Sequence, residues 1–390
     1  MPLLALVLIA GGACSPGSSS HGRAAPRVAR PPAAALPVRP GDPPQADYLV
    51  DRTLHLASRP EPVQLAIAPH PALQGTLAPL VVPSPDGTTL AYSTFNEDVE
   101  LDPERTPSEQ GVHPGDALGT PSILLHDLRT GTERTLAHGA YSPAWRRDGA
   151  IAYVQGTDAA YRAGTTYTGQ VMVRANPGGR GGDDQAEQWT DSEGRYVVAG
   201  WAGARLLVYH TTGNESFDLE VLDGPGDVRT LAPASSLIAL SPDGTRAAVA
   251  TSANGWSSNV QILDIPSGEP VASLQTDAHT SLVYAGSWVG SRLVARGGDD
   301  RGPIVDVFAV GSDSVRLEKV LRVDPSLPVG LSEPKLDPED PNRMTAWSYV
   351  PDRSESGPYV LVGCDLATLT CTAGPPIRAK VVRLYTATGP

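Results

Sequence analysis

Apolar and polar residues alternate in short runs along most of the chain, and turns rich in Gly and Pro separate the runs. The stretch 79–95, PLVVPSPDGTTLAYSTF, sets the pattern. Pro85 presets φ for a turn, and Gly87 can take φ > 0 where the chain reverses. The flanks are β-branched and aromatic, with Leu90, Tyr92 and Thr94 on one side of the alternation, so the stretch predicts a hairpin. Ser84-Pro85-Asp86-Gly87 returns as Ser241-Pro242-Asp243-Gly244, and in weaker form as Arg147-Asp148-Gly149. Less marked hairpins of the same kind turn near residues 203, 290 and 341. The turns recur roughly every 40–60 residues, which brackets the period of a propeller blade.

A second hairpin type falls between these. SILLHDLRTGTERTLAHG at 122–139, DLEVLDGPGDVRTLAP at 218–233, VQILDIPSGEPVASLQ at 260–275 and VDVFAVGSDSVRLEKVL at 305–321 each read as strand, Gly-containing turn and return strand. No amphipathic helix longer than two turns is evident from 48 to 390. Alternating strands with Gly/Pro turns predict an all-β radial repeat; a single sandwich would not alternate two hairpin types so strictly. Residues 48–67 read as an outer hairpin with no inner hairpin before it, and 378–389 as a strand with no outer hairpin after it. Joining the two ends in one blade closes a ring and removes exposed edges. The expectation is one domain, 48–390: a β-propeller of four-stranded antiparallel blades, seven in number with six as the alternative, closed by the N- and C-terminal strands. Residues 96–121, acidic and Pro-rich, interrupt the pattern as a long excursion.

The recurring SPDG phrase and the spacing of its hairpins resemble TolB-type, WD-repeat-like β-propellers over roughly residues 78–350. In that family the propeller recognises other envelope proteins, so the resemblance implies a protein partner in the cell envelope. It implies an architecture and does not identify a ligand.

Residues 3–10, LLALVLIA, are too short to span a bilayer and fit the apolar region of a signal peptide. Small residues follow, then Cys14. This resembles a bacterial lipoprotein signal at 1–14, with Cys14 lipidated and anchoring the chain to the membrane; an ordinary cleaved signal and secretion are the alternative. The match departs from the family pattern in two places: no Lys or Arg precedes the apolar run, and Gly11 stands where Leu is usual. Residues 15–47 are rich in Pro, Ala and Ser and lack periodicity, so they are expected to be a disordered tether.

Charge narrows the partners. The net charge is −13, yet residues 1–41 carry four arginines and no acid, so the body is more acidic than the whole. An acidic body repels phosphate backbones, and nucleic acid is not expected as a partner. Nearly all the basic residues are arginines, which with abundant Ala, Gly and Pro points to a GC-rich bacterial genome, by type actinobacterial. A monomer is expected.

Candidate chemistry is sparse. Cys364 and Cys371 sit on opposite arms of a predicted hairpin, in a chain with an export signal, so a disulfide is expected. A metal pair is the alternative, but no further Cys or spaced His accompanies it. There is no G-x-S-x-G elbow, no H-E-x-x-H and no EF-hand pattern. No catalytic residue, metal site or cofactor is assigned. Acidic groups at 97–104, Asp183-Asp184 and Asp299-Asp300 read as solvated loop charge rather than a cation site. Trp145, Trp201, Trp288 and Trp347 fall near inner hairpins and read as packing residues. The function expected is a non-catalytic binding or scaffolding module. The alternative is a carbohydrate-active or lactonase-like propeller enzyme with carboxylates or a metal in the central funnel.

Overall fold

The computed structural model describes residues 27–28, 31–67, 81–95, 121–156, 168–175, 177, 185–190, 194–211, 217–253, 257–276, 281–299, 301–323, 331–349, 358–379 and 382–385. Cys14, residues 96–120, Asp183, Asp184 and Asp300 lie outside them. Every regular element among the described residues is a strand. The strands form six hydrogen-bonded sheets, numbered I to VI here.

Sheet I holds Asp47–Val50, Thr53–His55, Val63–Gln64 and the C-terminal Val382–Tyr385. Sheet II holds Val81–Pro83, Thr89–Phe95, Pro121–Asp127 and Glu133–His138. Sheet III runs from Ala140–Trp145 to Asp227–Ala232 and has eight strands. Sheets IV, V and VI begin with the inner strands Ser235–Leu240, Ser281–Val289 and Ser332–Leu336.

Neither seven nor six separate four-stranded blades are therefore what the chain forms. Within sheet III, two antiparallel meanders join where Thr168 and Gly169 pair with Arg195 and Gly194. The two glycines lie opposite each other. A Cβ at Gly169 would sit 2.5 Å from the Gln155 carbonyl oxygen of the strand Ile151–Gly156, so the backbone there admits only glycine, and one at Gly194 would sit 2.8 Å from the Tyr196 ring. The short strand Ala186–Gln188 covers only the Met172–Arg174 end of its neighbour, leaving the other end free to make the junction.

Sheets IV, V and VI depart from four strands for a different reason. Residues 27–28, 34–36 and 38–40 each add a short parallel strand to the outer edge of one of them. This corrects the expectation of a tether across all of 15–47. Leu36 is fully buried in the core between sheets V and VI, and the amide of Cys371 donates to Pro37 O. Adding an edge strand requires a backbone in register and an unpaired edge, not an alternating pattern, so composition alone did not reveal it.

The core is a set of apolar clusters, each between consecutive meanders. Leu49, Leu54, Val63 and Leu65 of sheet I meet Val81, Leu90 and Tyr92 of sheet II. Ala91, Ile123 and Leu125 of sheet II meet Ile151 and Tyr153 of sheet III. The two halves of sheet III pack across Tyr141, Trp189, Tyr196 and Trp201. Similar clusters link sheet III to IV, IV to V and V to VI. The last cluster, around Leu361, Ala379, Val382 and Leu384, returns from sheet VI to sheet I. Packing thus runs around a closed ring. The closure itself is antiparallel, with Val382 opposite Val50 and Leu384 opposite Tyr48.

The inner strands are tied to one another. Trp145 Nε1 donates to Val82 O at 3.1 Å, and Trp201 Nε1 to Ala144 O at 3.0 Å, the same device one step further round. Ser142 and Glu333 occupy bulges at φ 56° and 49°. Ser142 Oγ accepts from Val198 N at 3.1 Å, and Glu333 Oε2 accepts from Leu384 N at 3.2 Å. A bulge re-aims one side chain, and here each one reaches the next inner strand.

Candidate functional site in the seam beside the closing sheet

The repeat-turn residues form two nearly identical structures. Ser84 Oγ donates to Asp86 Oδ1 at 2.6 Å, Asp86 accepts from Thr88 N, Gly87 N donates to Ser84 O, and Thr89 N donates to Ser84 Oγ. Ser241, Asp243, Gly244, Thr245 and Arg246 repeat every one of these bonds. Hydrogen bonds from the serine and from backbone N–H hold Asp86 and Asp243 below the usual carboxylate range. Gly87 and Gly244 both stand at φ +67°, and Pro85 and Pro242 lead into them. At the weaker copy, Asp148 accepts from Ala150 N and Arg146 Nε, with Gly149 at φ +91°. These residues build turns, and all their polar atoms named here bond within the turn.

The outer hairpins share a second turn. In sheet II, Asp127 Oδ1 accepts from Arg129 N and Thr130 N, and Gly131 at φ +69° donates to Asp127 O. In sheet VI, Asp365 Oδ1 accepts from Ala367 N and Thr368 N, with Leu369 at φ +55° in the glycine's place. Each turn sets one cross-strand pair directly beyond it. In sheet VI that pair is Cys364 and Cys371, which are disulfide-bonded with Cα atoms 4.1 Å apart. In sheet II it is His126 and Glu133.

The second pair is the centre of the candidate site. Tyr92 lies fully buried between sheets I and II, and its hydroxyl donates to Glu133 Oε1 at 2.5 Å. His126 Nδ1 stands 3.1 Å from the same oxygen, and Ala66 N, from the chain after sheet I, reaches both Glu133 Oε1 and Tyr92 Oη. Burial pushes the Glu133 carboxyl up, but the donors from Tyr92, His126 and Ala66 outweigh it and hold the group below its ordinary range. Burial, and the bond to Glu133, push the Tyr92 phenol up. The cluster opens on a shallow cleft of 490 Å³ lined by Arg52, Gln64, Leu65, Ala66, His126, Gly131 and Glu133. One carboxylate, one guanidinium and one imidazole on its wall suit it to a small polar group.

A related pair lies in sheet III. His210 Nδ1 stands 3.0 Å from Glu220 Oε1, and the Tyr196 ring stacks on the imidazole at 4.4 Å. Among the described residues no group of three or more His, Cys, Asp or Glu is placed to hold a metal ion.

The sequence reading missed His126, Glu133 and Tyr92. The signal was present: the spacing of seven that set Cys364 opposite Cys371 also separates His126 from Glu133, around the same Asp-x-x-Thr turn. The tryptophans pack as read, with Trp201 and Trp288 buried.

No family model matches the sequence, and no curated protein matches it. Solved structures do resemble the fold. A prolyl endopeptidase, from a study of two such enzymes, aligns at 13% identity over 88% of this chain and 51% of its own, with a TM-score of 0.53. Prolyl oligopeptidase B from Galerina marginata aligns at 12% over 78% and 42%, TM-score 0.51. TolB from Acinetobacter baumannii aligns at 15% over 71% and 64%, TM-score 0.41. The chain thus spans about half the length of the two peptidases and under two thirds of TolB. Likeness at these identities shows the fold alone. The chain is a β-propeller.

Proposed function

We propose that the chain is an exported propeller that binds a protein partner in the cell envelope, held to the membrane through a lipid on Cys14. The observation that carries the binding role is ring closure. Pairing of Val382–Tyr385 with Asp47–Val50 locks six sheets into one rigid frame, and the frame presents the turns at Ser84–Gly87, Arg146–Gly149 and Ser241–Gly244 as a set. A surface made of turns from several sheets exists only while the ring is shut. The apolar run before Cys14 supports export, and the acidic body supports a partner other than nucleic acid.

One experiment tests both halves. Photo-crosslinkers placed at Asp86 and Asp243, in cells of the native host, should capture one envelope protein, and deleting residues 378–390 to open the ring should remove the product. A fatty-acid analogue should label the wild type and not Cys14→Ser. Crosslinks that survive ring opening would refute the binding surface, and equal labelling of both proteins, or of neither, would refute the anchor.

A further inference from the structure

The chain has three lysines, Lys319, Lys335 and Lys380. Lys319 is conventionally placed: its amine donates to Leu366 O at 2.7 Å. Lys335 is not. It lies on the inner strand Ser332–Leu336 of sheet VI, opposite Thr345, while Ser332 of the same strand lies opposite Trp347. Cross-strand partners share a face. Trp347 packs in the cluster between sheet VI and the closing sheet, so Lys335 faces that seam. Its neighbour Leu336 is opposite Met344 and faces the other way, into the core towards sheet V.

Lys335 is half-buried, and among the described residues its amine makes no hydrogen bond and no ion pair. The charge that acts on it is Glu333, two residues away, whose carboxylate is already engaged by Trp347 Nε1 at 3.0 Å and Leu384 N at 3.2 Å. A buried ammonium without a counter-charge is costly, and proteins resolve that cost by pairing it or leaving it neutral. Pairing is absent here, and burial pushes the amine's titration below the usual lysine range. Partial exposure leaves a route for a small reagent.

We propose that Lys335 is a reactive amine site that condenses with small aldehydes or ketones. The Nζ lone pair attacks the carbonyl carbon to give a carbinolamine, which loses water to leave an imine. The amine then serves as the nucleophile that a desolvated lysine provides in other settings.

The three lysines make the test internal, and it uses the wild-type full chain. Limited formaldehyde with cyanoborohydride, which delivers hydride to the imine carbon and traps a secondary amine, is applied near neutral pH. Each site is then quantified by peptide mass. Lys335 should be modified at least several-fold faster than Lys319, because a lowered titration leaves more of its amine free near neutral pH. Well above the lysine range, where both amines are free, that lead should vanish. Modification of Lys335 no faster than Lys319 near neutrality overturns the proposal. So does a lead that persists at high pH, since that would report access rather than a free amine.

Discussion

The outer turns of sheets II and VI have the same backbone and opposite chemistry. Both are closed by an aspartate that accepts two backbone N–H groups, Asp127 in one and Asp365 in the other. Both set one cross-strand pair beyond the turn. In sheet VI the pair is a buried disulfide that joins the two strands covalently. In sheet II it is a histidine and a glutamate whose carboxylate also binds Tyr92 and Ala66, so it ties sheet II to sheet I. The turn fixes geometry, and the pair beyond it is free to carry a local staple or a bond between sheets. Removing the disulfide should therefore disturb one hairpin, and removing the carboxylate should loosen a seam.

The largest effect should come from the disulfide. Cys364→Ala with Cys371→Ala is expected to lower unfolding free energy by about 2–3 kcal/mol, the loop-closure value for so short a loop. Denaturant titration of the oxidised protein against the double variant measures it. Amide exchange should rise in residues 358–373 and stay unchanged at 47–67. A loss spread over both regions would break the distinction between staple and seam.

Glu133→Gln should come next, at about 1–2 kcal/mol near neutral pH, because the Tyr92 hydroxyl is buried and loses a charged acceptor. Exchange should now rise at 63–67 as well as in sheet II. The pH dependence has a definite sign. The folded-state carboxyl titrates below its ordinary value, so the unfolded chain binds the proton more readily. The stabilisation is complete above the ordinary carboxylate range and is lost as pH falls through the lower, folded-state value. Wild type and Glu133→Gln should converge in acid. A gap that stays constant with pH would mean that the carboxylate's charge is not what holds the seam.

The same comparison explains what the sequence could and could not convey. Turns are local, so SPDG and the Gly-containing turns announced both hairpin types, and Cys364 could be set opposite Cys371 by counting along a hairpin. Ring closure was legible because 48–67 reads as an outer hairpin with no inner hairpin before it, and 378–389 as a strand with no outer hairpin after it. Tyr92 and Ala66 reach Glu133 from other hairpins, and no local pattern encodes that meeting. The strands at 34–36 and 38–40 were hidden for the opposite reason: their side chains carry little signal, and the edges they cover lie some 280 to 330 residues further along the chain, as in Ala34 opposite Leu321 and Val38 opposite Cys371. The two halves of sheet III join at Gly169 and Gly194, which from sequence alone look like ordinary strand-end glycines.

The smallest effect should come from exchanging the residue at the left-handed corner of each turn. Gly131 and Leu369 occupy equivalent corners at φ +69° and +55°. A Cβ at Gly131 would meet nothing within 4 Å, so Gly131→Ala tests backbone strain alone and should cost about 1 kcal/mol. The reverse change, Leu369→Gly, removes the same strain but adds about 0.5–1 kcal/mol of backbone entropy to the unfolded chain. It also strips a partly buried side chain from the cluster between sheets V and VI. These contributions oppose, and the net change should fall within about 0.5 kcal/mol of zero or be slightly destabilising. The prediction sharpens in the double-cysteine variant. If the disulfide is what holds the Leu369 corner in its strained form, the corner relaxes once the bond is gone, and Leu369→Gly should then turn more destabilising because it has no strain left to relieve. If packing against the core holds it, the effect should be the same with and without the bond. A clear gain from Leu369→Gly in the oxidised protein would show that neither the bond nor the packing compensates the corner.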